Sequence, residues 1–307
     1  MTKTSFKTPQ KILRIATRTS DLALWQARWL AAQLHKHDIA TDLVHVETQG
    51  DVSRLPFKDM QGQGFFTKAV QDVVLAGEAD VAVHSHKDLP SAPHPELELA
   101  ALSERADARD VLLVSPDAWE NVSSTNSALP LRAGAKVGTS AVRRQRQLES
   151  LRPDLVVAEL RGNVPTRIEK LRARDYDAIV LAAAGVARLE LDLRDLRTYY
   201  LEPHVMIPAP AQGVLAFECR RDAYEVASLL TEVHDKISHR CVAAERGLMA
   251  MLQGGCQLAL GAHATWDGTD LTMHCWYEGD YQTVQHRSPE GAAFLAYEAL
   301  GRPAPAQ

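Results

Sequence analysis

The stretch "FFTKAVQDVVLAGEADVAVHSHKDLP" (Phe65–Pro90) decides how this chain folds. Its first half has a helical pattern that Gly77 closes. Its second half starts as a buried strand, with Val81, Ala82 and Val83, and then delivers His84, Ser85, His86, Lys87 and Asp88 ahead of a proline. A helix feeding an apolar strand is part of a βαβ rhythm. The polar tip has two readings. Strands surface somewhere, and polar residues then mark the turn. Alternatively, the carboxyl end of a strand in an α/β sheet is where ligands and catalytic groups sit.

Outward from this stretch the rhythm continues on both sides. "ILRIAT" (12–17) reads as a strand. "SDLALWQARWLAAQLHKH" (20–37) reads as a helix capped by Ser20 or Asp21, with Leu22, Trp25, Trp29 and Ala32 on one face. "TDLVHVET" (41–48) is the next strand. After the Ser/Asn-rich "NVSSTNSALP" (121–130) the pattern restarts: strand "AKVGTS", helix "AVRRQRQLESL", strand "LVVAEL", helix "PTRIEKLRAR" with Pro165 in its first turn, and strand "YDAIVLA". Two similar sets of βα units imply two similar α/β domains with mostly parallel sheets and a cleft between them. From about Asp222 two helical patterns precede strands punctuated by "WDGT" and "YEGDY", a smaller α+β domain. The expected division is 1–103 plus 214–231, 104–213, and 232–307.

The chain has 307 residues, 46% hydrophobic and 24% charged, with a net charge of −5, which suits a folded protein and implies no general affinity for nucleic acid or membrane. No apolar run reaches the roughly 18 residues of a membrane span, and no apolar stretch follows the basic N-terminus. The four cysteines show no CxxC spacing and read as reduced thiols. A cytoplasmic protein is expected. There is no GxxxxGK[ST] motif; "GQGFF" (62–66) lacks the third glycine and preceding strand of a dinucleotide site; His84 and His86 have no further ligands nearby in sequence, so no metal is expected.

The arginines fall in a pattern. Arg18 follows the first strand just before Ser20. Arg143 and Arg144 open the helix after "KVGTS", Arg161 follows "LVVAEL", and Arg167 opens the helix after Pro165. Each sits where a strand feeds a helix, and free backbone N–H groups and the helix dipole already favour an anion there. Guanidinium groups add bidentate carboxylate or phosphate recognition. Single arginines on helices mostly face water, but five at equivalent topological positions point to a substrate with several anionic groups. Each charge-assisted hydrogen bond contributes roughly 1.5–3 kcal/mol. Cys256, behind two glycines in "LQGGCQLALG", is placed on a loop as a nucleophile or attachment point. Cys219, Cys241 and Cys275 lie in strand or helix patterns as small core residues.

Eight stretches together resemble the porphobilinogen deaminase (hydroxymethylbilane synthase) family over essentially the whole length: "RIATRTSDLALWQA", "GQGFFTKAV", "ADVAVHSHKDLP", "VGTSAVRRQRQL", "LRGNVPTR", "YDAIVLAAAGVARL", "PAPAQGVLAFECR" and "GGCQLALG". The resemblance implies three domains, the first two similar to type II periplasmic binding proteins. It implies a dipyrromethane cofactor bound by a thioether to Cys256, and a reaction that joins four porphobilinogen molecules head to tail, releasing ammonia and 1-hydroxymethylbilane. Asp88 matches the family's central catalytic group. Arg18, Arg143, Arg144, Arg161, Arg167 and Arg188 match the arginines that bind acetate and propionate side chains. Lys68, Lys87, Ser85, Thr139 and Ser140 match further cofactor or substrate contacts, and Ser20 and Gln212 fall among the substrate-binding positions. A monomer with only the small-molecule substrate as partner is expected.

The chemistry accounts for the polar strand tip. Porphobilinogen loses its aminomethyl nitrogen as ammonia, leaving an electron-poor carbon that a pyrrole α-carbon attacks, and a proton then leaves. A carboxylate beside the pyrrole N–H groups stabilises the developing positive charge and assists proton movement. Neighbouring cations favour the ionised form of such a carboxylate. Three positions depart from the family pattern: Gln63 replaces a lysine, Ala141 replaces the second serine of "GTSS", and Ala211 replaces the glycine of "GQG". These bear on affinity and rate more than on reaction type. Two arginine-lined lobes would also suit a transporter's anion receptor, a reading that Cys256 and the missing signal-peptide pattern oppose. A third reading is a family member that binds without turnover, which an intact Asp88 opposes.

Overall fold

A computed structural model describes residues 12–47, 65–121, 129–253 and 258–301. It divides into two compact units, Met1–Leu89 with Pro93–Ser103 and Leu215–Asp235, and Pro90–Ala92 with Glu104–Val214 and Lys236–Gln307.

In the first unit, strands β1 (Leu13–Arg18), β2 (Thr41–Val46), β3 (Val81–Ser85) and β4 (Leu97–Leu102) join a strand that returns late in the chain, Leu215–Arg220. The spatial order is β2-β1-β3-returning strand-β4. β1 pairs parallel with β2 and β3, and the returning strand runs antiparallel to β3 and β4. Helices α1 (Asp21–His35) and α2 (Phe65–Leu75) follow β1 and β2. Both faces of this sheet are covered, so its strands read as continuous apolar runs. Leu13, Ile15, Val81, Val83 and Phe217 pack with Ala27, Leu30 and Leu34 of α1, whereas Ala16 and Ala82 pack with Val70 and Val74 of α2.

The buried stripe of α1 is Gln26, Ala27, Leu30 and Leu34. This corrects the expected face of Leu22, Trp25, Trp29 and Ala32: Ala32 is exposed, and the two tryptophans are only partly buried. Indole rings are large and seldom fully buried, and Trp29 stacks on Phe217 at 6.2 Å between ring centroids. Ser20 occupies the N-cap position but its hydroxyl makes no capping bond.

The second unit repeats the plan. β5 (Asp110–Val114), β6 (Lys136–Gly138), β7 (Val156–Ala158), β8 (Ala178–Ala182) and β9 (Arg197–Leu201) are ordered β7-β6-β8-β5-β9, with β6 parallel to β7 and β8 and β5 antiparallel to β8 and β9. The returning strand of the first sheet is β10. Each sheet thus carries, inside its edge, one antiparallel strand whose neighbours come from elsewhere in the sequence. Helices α3 (Val142–Leu151), α4 (Val164–Arg172) and α5 (Ala183–Arg188) follow β6, β7 and β8. α3 packs Leu148 against Leu112, Val137 and Val180, and α4 packs Ile168 and Leu171 against Val111, Ile179 and Leu181.

Beyond α6 (Tyr224–Leu230), the same unit holds α7 (Lys236–Met251), an antiparallel sheet β11 (Leu260–Trp266), β12 (Leu271–Tyr277) and β13 (Asp280–His286), and α8 (Pro289–Ala299). The β12–β13 hairpin turns on Glu278 and Gly279, both at positive φ (51° and 96°), the geometry that two-residue hairpin loops require. α7 and α8 cover one sheet face through Cys241, Leu248, Ala292 and Ala296. No helix among the described residues is long and apolar enough to cross a membrane.

Candidate active site

The parallel strands of the first sheet end at one edge, β1 with Arg18 and β3 with Ser85. A single 3-10 turn, His86–Asp88, follows at once, closed by the Leu89 N–H donating to the His86 carbonyl at 3.2 Å. His86 and Leu89 are buried and fix the turn from inside, while Asp88 is exposed and Lys87 half-buried. Gln26 of α1 donates from Nε2 to Ser85 Oγ at 2.8 Å. Behind the tip, His84 Nε2 lies 3.2 Å from Glu218 Oε2, an ion-pair distance, and Gln71 of α2 donates to the same oxygen at 2.8 Å. Burial alone would raise the Glu218 carboxyl, but His84 and Gln71 outweigh it and hold the group below its ordinary value. The catalytic candidate therefore stands on a rigid support. Lys68 pairs with Asp72 one turn along α2 at 2.8 Å, an exposed pair of the kind that adds little to stability.

At the corresponding edge of the second sheet the arginines separate into two environments. Arg143 and Arg144, in the first turn of α3, are each 5% exposed and turn inward onto Asp110, which is fully buried. Arg143 Nη1 donates to Asp110 Oδ2 at 2.8 Å, and Arg144 Nη2 donates to Oδ1 at 2.8 Å. Burial would raise the Asp110 carboxyl, yet the two guanidiniums hold it well below the usual carboxylate range. Gln212, also buried, donates Nε2 to Asp110 Oδ1 and to the Ala108 carbonyl, each at 2.8 Å. Thr139 is buried, with its hydroxyl accepting from the Ala141 N–H at 3.3 Å, and Ser140 beside it is half-buried.

The other arginines are more open. Arg161 is half-buried and paired with Glu159. Arg167 Nε donates to the Gly162 carbonyl at 2.7 Å, and the Asn163 side chain caps α4 by accepting from the Thr166 N–H at 2.9 Å. Arg188, at the last turn of α5, donates to the Gly213 carbonyl at 2.9 Å, and burial pushes its guanidinium down to about 10. Arg18 and Ser20 are half-buried.

Sequence reasoning missed three buried acids. Two are Glu218, behind the Asp88 turn, and Asp110. The third is Glu245 of α7, whose carboxylate accepts from Arg105 (2.8 and 2.7 Å) and from the N–H groups of Ala211 and Ala264 (2.7 Å each). None has a local signal, because their partners lie far along the chain. Cys256 and Gln63 lie outside the described residues. Cys219, Cys241 and Cys275 are buried free thiols, as expected of core residues, and burial pushes Cys219 and Cys275 up to about 12.

Residues 13–228 match the family described as "Porphobilinogen deaminase, dipyromethane cofactor binding domain", and residues 239–280 match "Porphobilinogen deaminase, C-terminal domain". The chain belongs to the porphobilinogen deaminase family. A porphobilinogen deaminase of Syntrophotalea carbinolica is 44% identical over 264 residues, covering 85% of this chain and 81% of the relative. One from Roseiflexus is 43% identical over 267 residues, covering 86% and 85%. Among solved structures, the VFT2 domain of Bordetella pertussis BvgS is similar with a TM-score of 0.44 and 15% identity, covering 72% of this chain and 86% of that one.

The donor set suits the porphobilinogen deaminase cofactor, whose pyrroles carry acidic side chains. Two buried guanidiniums face one buried carboxylate at the edge of the second sheet, an excess of positive charge over negative within that cluster. Half-buried Arg161, Arg167 and Arg188 in the same unit extend that cationic character.

Proposed function

We propose that this member of the porphobilinogen deaminase family carries out its polymerisation with Asp88 as the catalytic carboxylate, the arginine array as the holder of pyrrole side-chain carboxylates, and Cys256 as the thioether anchor of the primer. The reaction joins four porphobilinogen molecules head to tail, with loss of ammonia at each joining, and one water then cleaves the chain from the primer to release 1-hydroxymethylbilane. When bound, the dipyrromethane supplies the pyrrole α-carbon to which the first unit is joined.

The exposed carboxylate of Asp88 on an anchored turn carries this reading. Gln26, Ser85 and the buried His86 and Leu89 keep the turn from relaxing, so the charge need not reorganise when positive charge develops on a pyrrole ring. From that position Asp88 hydrogen-bonds pyrrole N–H groups and takes up the α-proton lost after carbon–carbon bond formation. Arg18, Arg161, Arg167 and Arg188 bind and orient acetate and propionate groups, with Lys68, Lys87, Ser20 and Ser140 as further polar contacts. Inert thiols at Cys219 and Cys275 support Cys256 as the attachment point, since the thiolate is the reactive form.

Three domains, with 232–307 as the third, suit the separate core beneath β11–β13. We read the enzyme as a cytoplasmic monomer; the free thiols agree with a reducing compartment. The test is incubation of the purified chain with porphobilinogen. Ammonia and a linear tetrapyrrole in a four-to-one ratio are expected, and binding of porphobilinogen without release of ammonia would favour a binder instead.

A further inference from the structure

The cluster around Asp110 is unbalanced in charge. Its carboxylate accepts from Arg143 Nη1, Arg144 Nη2 and Gln212 Nε2, each at 2.8 Å, and every one of these residues is at most 5% exposed. Arg144 is used up internally: Nε reaches Asp110 Oδ1 at 3.2 Å and Nη1 reaches the Val180 carbonyl at 3.1 Å. Arg143 differs. Among the described residues its hydrogen bonds all run through Nη1, to Asp110 and, at 2.5 Å, to the Ile207 carbonyl. Gln147 fixes Ile207 from both sides, accepting from its N–H at 2.8 Å and donating to its carbonyl at 3.0 Å. The guanidinium of Arg143 is thereby held in one pose with Nε and Nη2 left as donors.

A cluster built only for stability would carry as many carboxylates as guanidiniums, because surplus buried charge is costly. The third donor to Asp110 is the neutral amide of Gln212, whose Nε2 also bonds the Ala108 carbonyl, so it holds the carboxylate without changing the charge count. We propose that Asp110 and Gln212 are positioning residues of the anion site: they lock Arg143 while leaving one positive charge for a ligand carboxylate to complete. Gln212 then acts from behind the arginines. This rests on the reading of that edge as the site of the pyrrole side-chain carboxylates.

The experiment compares full-length wild type with Asp110→Asn, Asp110→Glu, Gln212→Leu and Arg143→Ala. It reads thermal midpoint, the fraction of chains carrying the covalent cofactor by intact mass, and kcat and KM for porphobilinogen. Gln212→Leu deletes the amide donor to Asp110 while leaving both guanidiniums on it, and is expected to lower the cofactor-bearing fraction or raise KM about tenfold or more, the worth of one charge-assisted hydrogen bond. Asp110→Asn should show the same loss with a lower midpoint, and Asp110→Glu should restore part of it. A purely structural cluster would move the midpoint alone. Wild-type cofactor content and KM in Gln212→Leu, beside an impaired Arg143→Ala, would overturn the positioning role. Wild-type values in Arg143→Ala as well would overturn the anion-site reading beneath it. Gln212→Leu keeps the question answerable if Asp110→Asn does not fold.

Discussion

Ala211 holds a left-handed backbone at φ 62° while its N–H donates to Glu245 Oε2 at 2.7 Å. This is the position where the family pattern has glycine. The bond to a buried carboxylate fixes a conformation that costs an L-residue roughly 1–2 kcal/mol. Ala211→Gly removes that cost and gives back about 0.4–1 kcal/mol through the freer unfolded chain. The expected net is a stabilisation of about 0.5 kcal/mol, seen as a slightly higher thermal midpoint. Two residues on, Gly213 has φ 91° and a Cβ there would meet the Ala106 carbonyl oxygen at 2.6 Å. Gly213→Ala should therefore lower the midpoint markedly, and an unchanged midpoint would contradict the backbone account.

Arg143 and Arg144 are neighbours in sequence with different duties. Arg144→Ala removes three internal donors and leaves Asp110 with one guanidinium, and breaking a buried pair costs roughly 3–5 kcal/mol. Arg143→Ala leaves the Asp110–Arg144 pair whole and relieves surplus charge. The expected outcome is a large loss of thermal stability in the first variant, and in the second a smaller loss with reduced cofactor content. Equal unfolding midpoints would contradict the division of roles.

Asp88→Asn should fold and carry the cofactor, since Gln26 bonds Ser85 at the start of the turn and His86 and Leu89 bury it from inside. Turnover of porphobilinogen should fall about a hundredfold or more, the scale for losing one preorganised charge-stabilising group. Near-normal single-turnover rates would remove Asp88 from its role.

Stability should depend on pH through His263. Its imidazole is held below its ordinary value chiefly by burial, with the Arg105 charge adding to this. A histidine depressed in the folded state takes up protons more readily when unfolded, so its contribution is present above the unfolded pKa of about 6.5 and is lost as pH falls below it. His274, its cross-strand partner, is depressed in the same direction by burial. The midpoint should drop between about pH 7 and pH 5, and His263→Gln should flatten that slope. An identical slope in the variant would rule His263 out.

The strands were the legible part of the fold. Sheets covered on both faces need apolar runs such as "VAVHS" and "AIVLA", and these appear where the structure has β3 and β8. The inserted antiparallel strands were less so, because β5 and β10 pair with strands remote in sequence and nothing local encodes that. The site shows the same division. Asp88 and the arginines stand out because charged residues follow apolar strands at once. Asp110 merely opens another apolar strand, and its meaning depends on two guanidiniums 33 and 34 residues later. The same distance hid the inward turn of Arg143 and Arg144, which their place at a helix start did not foretell.

The central claim is a covalent primer on Cys256 serving Asp88 chemistry, and intact-mass measurement with peptide mapping tests it most directly. The purified chain should be heavier than its sequence by two pyrrole units, with the addition on the Cys256 peptide and missing in Cys256→Ser, since a serine hydroxyl is a far weaker nucleophile near neutral pH. Cys219→Ser, Cys241→Ser and Cys275→Ser should retain it. Added mass on any of those three cysteines, or active enzyme with no added mass, would contradict the account.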